Sequence, residues 1–146
     1  MRETIKTRRI RLEDIPRIIA IHESIRKKRV SKEWLEATGK RIRKGQRIGF
    51  VAIKNCQVVG FIFGEIKGEG FGLEQSGWIE FVGVEPSYMG IGIGQAMVSR
   101  LLDVFRKKEI RDVYTAVQWD SVDMLSFFKS LGFDRSPFIN LKKRLD

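Results

Sequence analysis

The sequence predicts one α/β domain over residues 1–146, a mixed β-sheet flanked by helices in the order β-α-α-β-β-β-α-β-α-β. Three observations carry this. Apolar residues recur at helical 3/4 spacing in four separate stretches. Runs rich in β-branched and aromatic residues lie between them. A strand-like run also passes through a glycine-rich turn straight into a helical stretch, around Gly90, Gly92 and Gly94. No internal repeat and no linker interrupts the chain.

The first strand is expected at residues 7–11. Asp14 then stands before Ile15-Pro16 as an N-cap acceptor, with proline in the first turn. Ile15, Ile18, Ile19, His22 and Ile25 share one face of the helix that follows, and His22 on that stripe is expected to be structural. Ser31 should cap a second helix through Trp34, Leu35, Thr38 and Ile42, stopped by Gly45. Residues 50–53 and 58–63 form a predicted hairpin, turned by residues 54–57. Residues 64–77 hold five glycines and are expected as a loop, and residues 78–84 as a strand ended by Pro86. Met97, Val98, Leu101, Leu102 and Phe105 mark the third helix. A strand at 113–119 and a last helix through Leu125, Phe128 and Leu131 follow; Asp120 or Ser121 is expected to cap the helix and Gly132 to stop it. Residues 138–141 are expected to close the sheet.

Composition excludes several classes. With 42% hydrophobic residues, the chain can bury a core. One cysteine, Cys56, makes no internal disulfide and is expected as a free thiol in the hairpin turn. One histidine and one cysteine cannot build a Cys/His zinc site, so no metal is expected. Apolar runs fall short of the ~18 residues that span a bilayer, and residues 1–6 contain no apolar signal core, so the expectation is a cytoplasmic protein without a membrane partner.

The chemistry points to the segment Val82-Gly83-Val84-Glu85-Pro86-Ser87-Tyr88-Met89-Gly90-Ile91-Gly92-Ile93-Gly94-Gln95. A helix opening from a glycine turn aims free backbone N–H groups at one spot and adds about half a positive charge there. Phosphates bind such places, and glycine admits them close to the backbone. No Gly-x4-Gly-Lys-Ser/Thr run exists here. The Gly-x-Gly-x-x-Gly frame fails as well, because Gln95 or Met97 falls on its third glycine.

Strand, Val84-x-Pro86 and then this turn resemble the acetyl-CoA loop of the GCN5-related N-acetyltransferase (GNAT) family, whose pattern is Arg/Gln-x-x-Gly-x-Gly/Ala. Gly92 and Gly94 match, while Met89 stands at the Arg/Gln position. The element order agrees with that family. Phe128-Lys129-Ser130-Leu131-Gly132-Phe133 fills its Tyr-x-x-x-Gly-Phe slot, so the resemblance covers essentially the whole chain.

The resemblance implies acetyl transfer from acetyl-CoA to a primary amine by direct attack. Met89, Gly90, Ile91, Gly92, Ile93, Gly94 and Gln95 would hold the pyrophosphate, and the backbone of Val82, Gly83 and Val84 the acetyl group, with Ser121 and Phe128 as further cofactor contacts. An alkyl ammonium has a pKa near ~10 and must lose a proton before it attacks. A preorganised backbone donor on the carbonyl is worth about 3 kcal/mol.

Glu80 is the candidate base: it lies in an apolar strand and, on a regular strand, shares a face with Val82 and Val84. The alternative for Glu80 is a solvent-facing or lysine-paired strand glutamate. The family's usual helix tyrosine, a proton donor, is Phe128 here, so the general acid stays open, water included.

The chain carries +10 formal charges, unevenly placed. Residues 61–90 hold Glu65, Glu69, Glu74, Glu80 and Glu85 against Lys67 alone, which predicts a locally acidic mouth for a cationic acceptor: a protein lysine or N-terminus, a polyamine or a small amine. The basic runs at 26–29 and 40–47 leave two other readings open, a catalytically weak CoA-binding regulatory module and a nucleic-acid binder on the same fold. A homodimer also stays open.

Overall fold

The computed structural model describes residues 4–26, 29, 31–43, 47–68 and 74–146. They fall into two compact units, residues 1–115 and 116–146. The first unit holds β1 (Lys6–Arg9), a 3-10 turn (Leu12–Asp14), α1 (Ile15–Arg26), α2 (Lys32–Arg43), β2 (Ile48–Lys54), β3 (Gln57–Lys67), β4 (Ser76–Val84), a second 3-10 turn (Pro86–Tyr88), α3 (Ile93–Lys107) and β5 (Val113–Thr115). The second holds α4 (Val122–Ser130). The strands form one mixed sheet in the order β1-β2-β3-β4-β5, antiparallel except for the β4–β5 pair. Among the described residues no helix is long and apolar enough to cross a membrane.

Several starts and stops follow the expected local chemistry. The Ser31 Oγ accepts the Trp34 N–H at 3.1 Å, a side-chain cap on α2. Gly45, its expected stop, lies outside the described residues. Asn55 and Cys56 both take positive φ, 52° and 60°, which gives the two-residue turn that matches strand twist in a hairpin. Gly132, at φ 92°, ends α4: its N–H reaches the Lys129 carbonyl, and the Phe133 N–H reaches that of Phe128 at 3.1 Å. The Phe128 and Phe133 rings meet edge to face at 5.2 Å across this stop.

Other elements differ from expectation. Asp14 turns backward instead of capping α1. It is 5% exposed and accepts the Arg11 N–H at 2.8 Å and the Arg8 guanidinium at 2.7 and 2.9 Å. Ile21 joins Ile18 as a fully buried residue of α1, while Ile25 stays 39% exposed. β5 stops at Thr115, and Trp119 is exposed. The expected closing strand at 138–141 is absent; Ile139 and Leu141 are exposed and belong to no element.

The glycine-rich stretch 64–77 is not one loop. Gly64 lies in β3 and Gly77 in β4, and with Gly60 they are seats for α3. A Cβ on Gly60 would stand 2.9 Å from the Met97 side chain, one on Gly64 2.8 Å from Leu101 and one on Gly77 2.7 Å from Phe105. Three side chains four residues apart on α3 thus press onto bare backbone, and their helical face is buried there. On the opposite face Ile18 and Ile21 of α1 pack on Val51, Phe61 and Phe63, joined by Trp34, Ile42 and Phe81. His22 is structural: it stacks on Trp34 at 5.1 Å and 8°, with Phe61 and Phe81 edge-on at 6.3 Å.

Candidate active site

Two features of β4 build the site. The first is where its partner ends. β4 pairs in parallel with β5 only through Gly77, Trp78 and Ile79, yet runs on to Val84. The Glu85 N–H donates to the Val59 carbonyl at 2.8 Å, toward β3. Because successive peptide groups of a strand face opposite edges, Val84 and Val82 direct their N–H groups away from β3. No strand among the described residues pairs with that edge beyond Ile79.

The second feature is a bulge. Phe63 pairs with Phe81, but the next β3 residue, Gly64, pairs with Ile79, leaving Glu80 as the extra residue. The bulge overturns the regular alternation expected for Glu80. Val82 pairs with Ile62, which lies between Gly60 and Gly64 on the α3 side of the sheet. Glu80 instead shares the α1 side with Phe81, where its carboxylate meets Arg47 at 2.9 Å. Arg47 stands just before β2, with its guanidinium 5.8 Å from the Phe63 ring and 5.6 Å from the Phe81 ring. Its Nε is buried without a hydrogen-bond partner.

Glu65 on β3 stands on the same sheet face as Glu80, and the two carboxyl groups act on each other. Burial pushes Glu80 above the usual carboxylate range, the neighbouring Glu65 carboxyl adds to this, and Arg47 pulls back. Interaction with Glu80 holds Glu65 below that range, against burial and with help from Lys67, Arg41 and Arg47. Lys67 also sits 4.7 Å over the Trp78 ring, which stacks on Tyr114 at 4.9 Å.

Beyond β4 the chain makes the 3-10 turn at Pro86–Tyr88 and reaches the glycine loop. Gly90 and Gly92 take φ of 82° and 91°, and a Cβ on either would meet nothing within 4 Å. These are left-handed positions that glycine occupies without penalty. Gly92 is the N-cap of α3, with no side-chain cap. The first helical bond runs from the Ala96 N–H to the Gly92 carbonyl at 3.0 Å, so the N–H groups of Ile93, Gly94 and Gln95 have no helical acceptor. Met89 and Ile91 are exposed, 54% and 48%. The Ile93 side chain is buried in the core, leaving only its backbone for a ligand.

One unit thus brings together Glu80, Val82, Gly83, Val84 and residues 89–95. Ser121 and Phe128 lie in the other unit. Ser121 takes the N-cap position of α4 without a side-chain bond, and Phe128 is buried against Phe127 and Phe133. Three glutamates of the acidic stretch have cationic neighbours. Glu85 pairs with Arg17 at 2.8 Å, Glu80 with Arg47, and Glu65 feels Lys67 and Arg41; Glu69 lies outside the described residues, as do Lys27, Lys28 and Lys44 of the basic runs. Sequence reasoning missed Arg47 and Glu65 as companions of Glu80, because nothing local marks the bulge that brings them together.

The pattern described as the Acetyltransferase (GNAT) family matches residues 15–133. Mycothiol acetyltransferase of Renibacterium salmoninarum is 30% identical over 79 residues, covering 54% of this chain and 23% of the relative. The N-alpha-acetyltransferase RimI of Mycobacterium tuberculosis is 35% identical over 66 residues, 45% of this chain and 38% of the relative. The matched stretches thus span well under half of either relative. Among solved structures, an aminoglycoside N-acetyltransferase, AAC(6')-Iy, in complex with CoA superposes with a TM-score of 0.84 at 14% identity, covering 99% of this chain and 97% of its own; at that identity the likeness is one of fold.

Proposed function

The chain belongs to the acetyltransferase (GNAT) family, and from that premise we propose that it transfers the acetyl group of acetyl-CoA directly to a primary amine. The observation that carries this reading is the α3 N-terminus: three N–H groups without helical acceptors behind two open, left-handed glycines. This cradle fits a pyrophosphate through backbone alone, so Met89 in place of Arg or Gln leaves the main donors in position.

Acetyl-CoA supplies an activated acyl carbon and a thiolate leaving group. The N–H groups of Val82 and Val84 face the open β4 edge, where they would stabilise negative charge on the acyl oxygen, a contribution of about 3 kcal/mol per donor. Glu80 takes the proton of the acceptor ammonium, freeing the nitrogen lone pair for attack; burial has already raised its proton affinity. No tyrosine is needed in this scheme, since solvent water can protonate the departing thiolate. The Tyr88 hydroxyl accepts the Gln57 amide at 3.0 Å, at the start of β3. The acceptor we favour is a cationic amine: a protein lysine or N-terminus, a polyamine or a small amine.

Calorimetry with acetyl-CoA, followed by CoA-thiol release against a panel of such amines, tests the reading. Binding with amine-dependent thiol release is expected. Binding without release would favour a regulatory CoA-binding module, and no binding would remove the assignment of the glycine loop.

A further inference from the structure

The Glu80 bulge places a second carboxyl group where a lone strand base would have none. We propose that Glu65 and Glu80 work as one proton-accepting pair, with Arg47 fixing Glu80 from the opposite side, so that Glu65 and Arg47 are positioning residues for the acceptor amine's deprotonation. The inference rests on the acetyl-transfer reading.

Three geometric facts support it. Glu65 and Glu80 stand on the same sheet face of adjacent strands and influence each other's protonation, and two carboxylates so placed can share one added proton. Arg47 reaches the Glu80 Oε2 at 2.9 Å, and its guanidinium is held in place by Phe63 and Phe81. The Arg47 side chain is 10% exposed and that of Glu80 18%, so this ion pair is largely shielded from solvent. The charged groups facing Glu80 among the described residues are Arg47 at the entry to β2 and Glu65 and Lys67 on β3; Arg41 on α2 acts on Arg47 and Glu65.

The step balances. An N–H bond of the acceptor ammonium breaks, the proton forms an O–H bond on Glu80 that is shared with Glu65, and nitrogen keeps the electron pair. The charge of the two carboxylates falls from two negative to one, and Arg47 balances what remains. Repulsion between the two carboxylates is what makes the pair a stronger base than an isolated glutamate. Two carboxyl groups that interact strongly take up protons in macroscopic steps that belong to the pair.

The test is a carbon-13 NMR pH titration of the full chain labelled at glutamate carboxyls, together with the pH profile of kcat/KM. In the wild-type chain, the Glu65 and Glu80 signals are expected to follow the same two steps. Glu65→Gln should leave Glu80 titrating in one step at lower pH. The acid limb of kcat/KM should move the same way while the alkaline plateau falls, because a weaker base accepts less readily. Glu65→Asp, which keeps a carboxylate, should retain two steps and restore most of the plateau; it also serves if the Gln variant fails to fold. A single-step Glu80 titration unchanged by Glu65→Gln overturns the proposal, as does an acid limb that stays in place. The titration needs no turnover, so coupled steps in a protein that binds no acetyl-CoA would remove the acetyl-transfer reading and leave the shared proton standing.

Discussion

On the α3 face of the sheet the contacts are apolar and the seats are glycines; on the opposite face, β3 and β4 carry Glu65, Lys67 and Glu80, met by Arg47 from the entry to β2. The first face positions backbone donors. α3 is pinned by Met97, Leu101 and Phe105, so its N-terminus and the glycine loop are held by packing, and no side chain need be chemically special. The second face positions side chains, and each depends on a partner from elsewhere in the chain. The two halves of the proposed reaction are therefore exposed to different kinds of damage: the phosphate cradle to strain and volume, the base to charge.

The sharpest way to separate the halves is Glu80→Gln. It removes the proton acceptor and leaves the cradle intact, so kcat should fall by about 100-fold or more while acetyl-CoA affinity, read by calorimetry, stays within a factor of two or so. Gly64→Val breaks the other face. Its branched side chain would collide with Leu101, already 2.8 Å from an ideal Cβ, and cost about 1–3 kcal/mol of stability in urea unfolding. Gly92→Ala sharpens the cradle argument because a methyl group there meets nothing within 4 Å. Its effect comes from φ of 91° alone, about 1–2 kcal/mol, which should appear as lower stability, weaker acetyl-CoA binding by up to about tenfold, or both.

The smallest effect concerns His22. Burial lowers its pKa, and Arg26 adds to this against Glu23. A folded value below the unfolded 6.5 means that its contribution to stability is present above that pH and lost as pH falls below it. The thermal midpoint should therefore decline on acidification from about 6.5, and His22→Phe, which keeps a ring beside Trp34, should flatten that decline.

Legibility in the sequence followed the same division. Ser31, the Asn55-Cys56 turn, Gly132 and the glycine loop are local devices, where a few neighbouring residues settle the backbone, and each is found where the sequence places it. Gly64 and Gly77 misled for a physical reason: a glycine under a helix and a glycine in a loop are identical in one dimension, and only close approach of a partner distinguishes them. Asp14 misled in the same way, since Arg8 competes for its carboxylate. That carboxylate is pushed up by burial but held below its usual range by the bonds from Arg8 and from the Arg11 N–H.

Sequence alone determined the four helices and the strands before the last expected one, the helix-opening turn at Gly90–Gly92–Gly94 and the presence of a glutamate in an apolar strand, because these depend on periodicity and on neighbours a few residues apart. Tertiary structure decided which face Glu80 occupies and what it meets. One extra residue in β4 turns Glu80 away from Val82 and toward Arg47 and Glu65, residues 33 and 15 positions earlier in the chain. A bulge is a property of two strands in register, and a salt bridge across such a span exists only once the sheet has formed.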